Sequence, residues 1–163
     1  MSAFQAQNSA GFINPGEPEF RIDFLTPMVR NNARVVRIPA LAVDLQPLKF
    51  MEFSLEDISQ AVVLSEEGAV MVNIPSPARF TVHKLLVYGE RSGEFRLKAV
   101  KDLAQAAALI EYLAAIRPDE LRQAWEDALS RGKGWKKRAI EGLKALKILK
   151  PEVVGIDILE SNP

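Results

Sequence analysis

The chain has 163 residues, 48% hydrophobic and 26% charged, a balance that suits a globular domain and excludes disorder, collagen-like repeats and disulfide scaffolds. Lysine plus arginine and aspartate plus glutamate number 21 each, so the formal charge of zero gives no overall pull toward nucleic acid or a membrane surface. Cysteine is absent and His83 is the single histidine, which excludes thiol catalysis, cysteine-built zinc sites and sites made of several histidines.

Residues 1–16 hold Asn8, Ser9, Gly11, Asn14, Pro15 and Gly16 and read as a turn-rich loop. Residues 1–10 lack the basic and apolar regions of a signal peptide, and no apolar run approaches the ~18 residues of a membrane span. The expectation is a cytoplasmic protein with no membrane partner. Phe20-Arg21-Ile22-Asp23-Phe24-Leu25 alternates large apolar and polar residues, which predicts a strand with Phe20, Ile22 and Phe24 on one buried face, ended by Thr26-Pro27. Val35-Val36 and Leu41-Ala42-Val43-Asp44-Leu45 predict further short strands, and residues 52–58 a helical turn. Ala61-Val62-Val63-Leu64 and Val70-Met71-Val72-Asn73-Ile74 flank Ser65-Glu66-Glu67-Gly68, the pattern of a hairpin.

Four helices follow. Ser76 can cap the first, with Pro77 at the first helical position, where its missing N–H is no loss. This helix is expected to stop before Gly89 or Gly93. A second covers about 95–116, with Leu97, Val100, Leu103, Ala104, Ala107, Ala108, Ile110 and Leu113 on one broad apolar face. Pro118 opens a third, carrying Leu121, Trp125 and Leu129 and broken by Gly132 and Gly134. The fourth, about 135–149, carries Ile140, Leu143 and Leu146 and ends near Pro151. The tail beyond it predicts either a short docked strand or a loose end. The fold class expected is α+β, a small, mostly antiparallel sheet followed by a bundle of about four helices, with a sheet region 1–75, a helical region 76–150 and a tail 151–163.

Charge follows the same division. Residues 1–75 carry five basic and nine acidic side chains, residues 76–163 sixteen and twelve, and 131–150 eight basic side chains against Glu141 alone. Asp23 stands out among the acids, because a carboxylate between Ile22 and Phe24 needs an open face, Arg21 or a bound cation beside it. On the first helix Arg79, His83 and Lys84 lie close together, and Lys98, Lys101, Asp102 and Gln105 form a polar stripe on the second. If these helices pack antiparallel, the two sets converge as a cationic site for polyphosphate with an acid orienting a cation; otherwise they are two solvated faces with local ion pairs. The run Arg131-Gly132-Lys133-Gly134-Trp135-Lys136-Lys137-Arg138 can track a nucleic-acid backbone with Trp135 stacking on a base, or be a helix-to-helix loop with Trp135 in the core.

Two stretches carry a resemblance: Arg21-Ile22-Asp23-Phe24-Leu25-Thr26-Pro27, and Val72-Asn73-Ile74-Pro75-Ser76-Pro77-Ala78-Arg79-Phe80-Thr81-Val82-His83-Lys84-Leu85 continuing through Arg91 to Lys98-Ala99-Val100-Lys101-Asp102-Leu103-Ala104-Gln105-Ala106. Over roughly 10–145 the chain resembles a bacterial and archaeal nucleotidyltransferase-like family, related to the polymerase-beta-type minimal nucleotidyltransferases and to abortive-infection toxins of that fold. The resemblance implies a sheet with three carboxylates that bind two divalent metals, Mg2+ by implication, which activate a hydroxyl against a nucleotide α-phosphate. It makes Asp23 the third carboxylate, a catalytic and metal-binding residue. It places the nucleotide on the helical region, with Lys84, Lys98, Lys101 and Asp102 as candidates and Arg79, His83 and Arg91 beside them.

The family pattern opens with Gly-Ser and two acids one residue apart, which supply the other two carboxylates. Before Asp23 this chain has Ser9-Ala10-Gly11, and Glu17-Pro18-Glu19 as its only acids. The resemblance is therefore to the C-terminal part of the family, with an incomplete carboxylate set. A nucleoside triphosphate, a nucleic-acid or protein acceptor, and a second copy or partner chain completing the sheet are the expected partners. The alternative is a non-catalytic binding or regulatory module that contacts nucleic acid or a protein through Lys133, Trp135, Lys136, Lys137 and Arg138.

Overall fold

A computed structural model describes residues 5–8, 10–29, 34–90 and 96–160. The chain is α+β and divides into two compact units, Met1–Glu52 and Phe53–Pro163. The hairpin expected around residue 66 thus groups with the helices.

The first unit is built from short strands. β1 (Gln5–Asn8), β2 (Gly11–Asn14) and β3 (Glu17–Asp23) form an antiparallel sheet in that order, with Phe12 opposite Ile22 and Gly11 opposite Asp23. The Asn14 side chain accepts the Gly16 N–H at 3.0 Å and closes the tight connection from β2 to β3, a role that suits asparagine. β4 (Leu25–Pro27) runs parallel to β6 (Val43–Leu48), and β5 (Val36–Ile38) pairs antiparallel on the other side of β6. Phe24 joins the two sheets. Its N–H donates to Ala10 at 2.9 Å, its carbonyl accepts from Gln46 at 2.8 Å, and its ring meets Phe12 edge-on at 5.8 Å.

The alternation along 20–25 predicts the strand but not its burial. Every residue of β3 is exposed, Phe20 and Ile22 included, and only Phe24, one position past the strand, is partly covered. Period-2 patterning selects a face; it does not supply a second layer to cover it.

The second unit opens with the end of α1 (Met51–Leu55) and a hairpin of β7 (Ile58–Ser65) and β8 (Gly68–Pro75), turning at Glu66-Glu67 as the sequence predicts. α2 (Pro77–Glu90) begins where expected: the Ser76 hydroxyl accepts the Arg79 N–H at 3.4 Å, and Pro77 occupies the first helical position. α3 (Arg96–Ile116), α4 (Pro118–Ser130) and α5 (Lys133–Leu149) complete the bundle. Gly89 lies in the last turn of α2, one residue before its end, and Gly132 caps α5, with Gly134 in its first turn.

α2 is the central helix and packs on α3, α4 and α5. Its Val82, Leu85 and Leu86 are fully buried with Leu103, Ala106, Ile110 and Leu113 of α3, Leu121, Trp125 and Ala128 of α4, and Ala139 and Leu146 of α5. The buried stripe of α3 is narrower than its apolar content suggests. Val100, Ala104 and Ala108 face solvent, while Asp102 is buried among Ala99, Leu103 and Ala106. Against α5, α2 approaches through glycines: a Cβ on Gly142 would collide with the Leu85 backbone, and one on Gly89 with the Arg138 backbone. Those contacts, four residues apart on each helix and in opposite order, define an antiparallel crossing. The tail forms a short 3-10 turn (Ile156–Leu159) that packs on α3 and α4, with Val153 and Leu159 buried, in place of the expected strand or loose end.

Candidate functional site

Asp23 ends β3 with its carboxylate open to solvent and an ion pair to Arg21 at 3.0 Å. The two side chains share a face of the strand at spacing two, and so exposed a pair contributes little to stability. Among the described residues no group of three His, Asp or Glu side chains is placed to hold a metal ion. Asp23 with a neighbouring guanidinium does not by itself match a two-metal centre, which needs several carboxylates around each ion.

The helical candidates separate into two groups. Lys84 of α2 and Asp102 of α3 meet, Lys84 Nζ donating to Asp102 Oδ1 at 2.8 Å, with only 18% and 8% of their side chains exposed. The ammonium also lies 4.7 Å from the Phe80 ring centre. The two helical polar sets thus converge at the Lys84–Asp102 pair. Lys101, one residue before Asp102, is exposed, and His83 is half-buried beside Lys84. Lys98 lies in the first turn of α3, and Arg91 falls outside the described residues.

Arg79 turns the other way, toward a network that the sequence did not announce. Arg131, just past α4, donates through Nε and Nη2 to both Asp127 oxygens at 3.1 and 2.8 Å. Its Nη1 donates to Glu56 Oε1 at 2.9 Å, and its Nη2 also reaches Glu56 Oε2. Arg79 Nη1 bridges the same two acids, at 3.1 Å to Glu56 and 2.6 Å to Asp127. Both guanidinium groups lie over the ring of the fully buried Phe53, at 4.6 and 5.0 Å, and Arg131 also lies 5.3 Å from Trp135. Two cations, two anions and two aromatic rings therefore form a closed, charge-balanced cluster.

Its electrostatics follow from these contacts. The Arg131 hydrogen bond holds the Glu56 carboxyl below its ordinary value, with the charge of Arg79 adding to it and partial burial opposing. At Asp127 burial favours the neutral acid, yet hydrogen bonds from Arg131 and Arg79 outweigh it and the carboxyl again titrates low. Arg131 is driven further toward its charged form, first by Glu56 and then by Asp127. An open cleft of about 270 Å³ beside Arg79 is lined by Asp57, Ala78, Glu120, Gln123 and Ala124. With Arg79 committed to acids and two more carboxylates on its wall, this cleft repels a polyphosphate.

Of the basic run, Lys133, Lys136 and Lys137 are exposed. Trp135 is half-buried 5.8 Å from Phe53, and Arg138 is tied to Glu90 and to the Gly134 carbonyl at 2.9 Å. The structure thus separates three solvated lysines from an aromatic and an arginine that serve internal contacts. Sequence reasoning missed Glu56, Asp127 and Phe53. The i, i+4 spacing of Asp127 and Arg131 is a legible signal; Glu56, 75 residues from Arg131, is not.

No helix among the described residues is long and apolar enough to cross a membrane. No curated protein and no solved structure matches the chain. A family model described as nucleotidyltransferase matches residues 3–130, which covers Asp23, the Lys84–Asp102 pair and Asp127 alike. On a match that spans most of its length, the chain belongs to that nucleotidyltransferase family.

Proposed function

We propose that this chain takes part in metal-dependent nucleotidyl transfer: in the first unit Asp23 is a metal-binding acid, and in the second unit Lys84, Lys101 and Asp102 are nucleotide contacts. The family match over residues 3–130 carries this reading, since it spans both parts. An exposed carboxylate at a strand end is free to exchange Arg21 for a cation, because the existing pair is weakly held. In the helical unit, Asp102 accepts from the Lys84 ammonium and holds it in place, while Lys101 beside it stands in solvent, so an arriving phosphate meets Lys101 first. Asp23 alone does not complete a metal centre. The remaining acids come from another segment or another chain, in keeping with the absence of a Gly-Ser dipeptide anywhere in the sequence.

Label transfer from an α-labelled nucleoside triphosphate in the presence of Mg2+ tests the reading. Whatever transfer the chain supports, alone or with added partners, is lost in Asp23→Asn. Equal transfer by the substituted and unaltered chains overturns it.

A further inference from the structure

The β7–β8 hairpin exposes many apolar side chains. Ile58, Val62, Val63, Leu64, Val70, Met71 and Ile74 are all exposed, Leu64 by 78% and Met71 by 64%. Neither strand carries a charged residue; the hairpin's charges are Glu66 and Glu67, at its tip. Among the described residues the sheet has two strands, so each has an edge that no described strand pairs with. A two-stranded hairpin is marginal by itself, and an uncharged edge without a bulge is the kind that recruits another strand.

We infer that β8 is a self-association edge, through which two copies of this chain pair antiparallel to make a four-stranded sheet. The ladder sets the register. The two-residue turn makes Ser65–Gly68 a hydrogen-bonded pair, so alternation assigns Val63–Val70, Ala61–Val72 and Ser59–Ile74 to the same class. The outward N–H and C=O groups of β8 then belong to Ala69, Met71 and Asn73. A two-fold axis through Met71 pairs Met71 with its own copy and Ala69 with Asn73, satisfying all three residues on each chain.

Charge selects β8 over β7 and a second copy over a charged partner. In this register Glu66 and Glu67 of one chain come beside Ser76 and Pro75 of the other, at the end of β8. There α2 begins, and the positive end of its dipole favours an anion. Pairing through β7 would instead bring the same acids against Glu56 and Asp57. The strands are neutral and the whole chain has a formal charge of zero, so neither steers a charged partner nor keeps two copies apart. The edge meets its complement in itself.

Sedimentation velocity on the full chain across a concentration series, paired with amide hydrogen exchange, tests this. The expected result is a monomer–dimer equilibrium in which dimer formation slows exchange at Ala69, Met71 and Asn73. Val70 and Val72, already bonded to β7, change little. Met71→Lys places two like charges opposite each other on an exposed position and weakens the dimer about tenfold or more, while Ile148→Lys on exposed α5 leaves it unchanged. A monomer at all concentrations overturns the inference. So does a dimer that Met71→Lys leaves intact, or one that forms without protecting those three amides.

Discussion

Arg131 closes on Glu56 across 75 residues of sequence, its Nη1 donating at 2.9 Å while its other nitrogens hold Asp127. That one guanidinium ties the segment after α1 to the end of α4, and Arg79 repeats the bridge from α2. Arg131→Ala leaves two acids sharing only Arg79 and strips a cation from the faces of Phe53 and Trp135. The expected loss is about 1–2 kcal/mol, since the groups are partly solvated and well short of full burial. Arg131→Lys recovers less than half of it, because one ammonium cannot serve both carboxylates in the forked geometry. Urea denaturation of the three proteins measures both effects.

The same cluster sets an acid limit. Glu56 and Asp127 titrate below their ordinary values of 4.5 and 3.8 in the folded chain. A carboxyl lowered by folding stabilises the fold fully above its unfolded value, and that contribution disappears as pH falls through the folded one. Stability should therefore hold down to about pH 4.5 as far as this cluster is concerned and decline below it. Glu56→Gln with Asp127→Asn starts lower at neutral pH and declines less steeply on acidification. Thermal midpoints between pH 3 and 7 compare the two slopes. A steeper decline in the substituted chain contradicts the assignment.

Gly142 should tolerate no side chain. Alanine is the better helix former by about 1 kcal/mol, yet its Cβ would strike the Leu85 backbone at the α2–α5 crossing. Separating two packed helices outweighs the propensity gain, so Gly142→Ala destabilises by about 1–3 kcal/mol. Gly134→Ala is the contrast: its new Cβ would meet only Arg138 Nη1, at 3.2 Å, a side-chain end that can shift by a few tenths of an ångström where a backbone cannot, so it should be close to neutral. Equal effects of the two in chemical denaturation would contradict the close-crossing account.

Lys84 and Asp102 form the most enclosed ion pair among the described residues. Lys84→Met takes the 2.8 Å ammonium partner from a largely buried carboxylate and is expected to lower stability by about 1–3 kcal/mol. Adding Asp102→Leu returns most of that loss, because an apolar pair of similar volume needs no compensating charge. A double substitution that is worse than the single one would show that the pair contributes net stability. Urea midpoints of the single and double variants decide it.

Much of this architecture is legible in the sequence, and its failures share a cause. The hairpin at Glu66-Glu67, the Ser76–Pro77 helix start and the Pro118 start are local signals, set by residues a few positions apart. Gly89 and Gly132 mark helix ends to within a residue or two, but the close packing of Gly89 against Arg138 is a long-range fact that no local signal carries. Asp102 appeared as one member of a polar stripe, but a shift of the buried face toward Ala99 and Leu103 enclosed it and left Lys101 outside. Phe20 and Ile22 alternate as a buried face should, and are exposed because burial depends on a covering layer that alternation cannot supply. At the candidate site, the Lys84–Asp102 meeting follows from two helical spacings, whereas Arg79 was claimed by Glu56 and Asp127, a long-range choice that no spacing encodes.

The central claim, that this chain carries part of a nucleotidyl-transfer site, is tested most directly by calorimetric titration with a nucleoside triphosphate and Mg2+. Asp23→Asn and Lys101→Ala are the variants of choice, since both positions are exposed and neither substitution should disturb folding. The account predicts binding by the unaltered chain that Lys101→Ala weakens about three- to tenfold, the size of one lost exposed phosphate contact. It also predicts that Asp23→Asn removes the Mg2+-dependent share of the affinity. Nucleotide binding indifferent to both substitutions, or none at millimolar nucleotide, would contradict it.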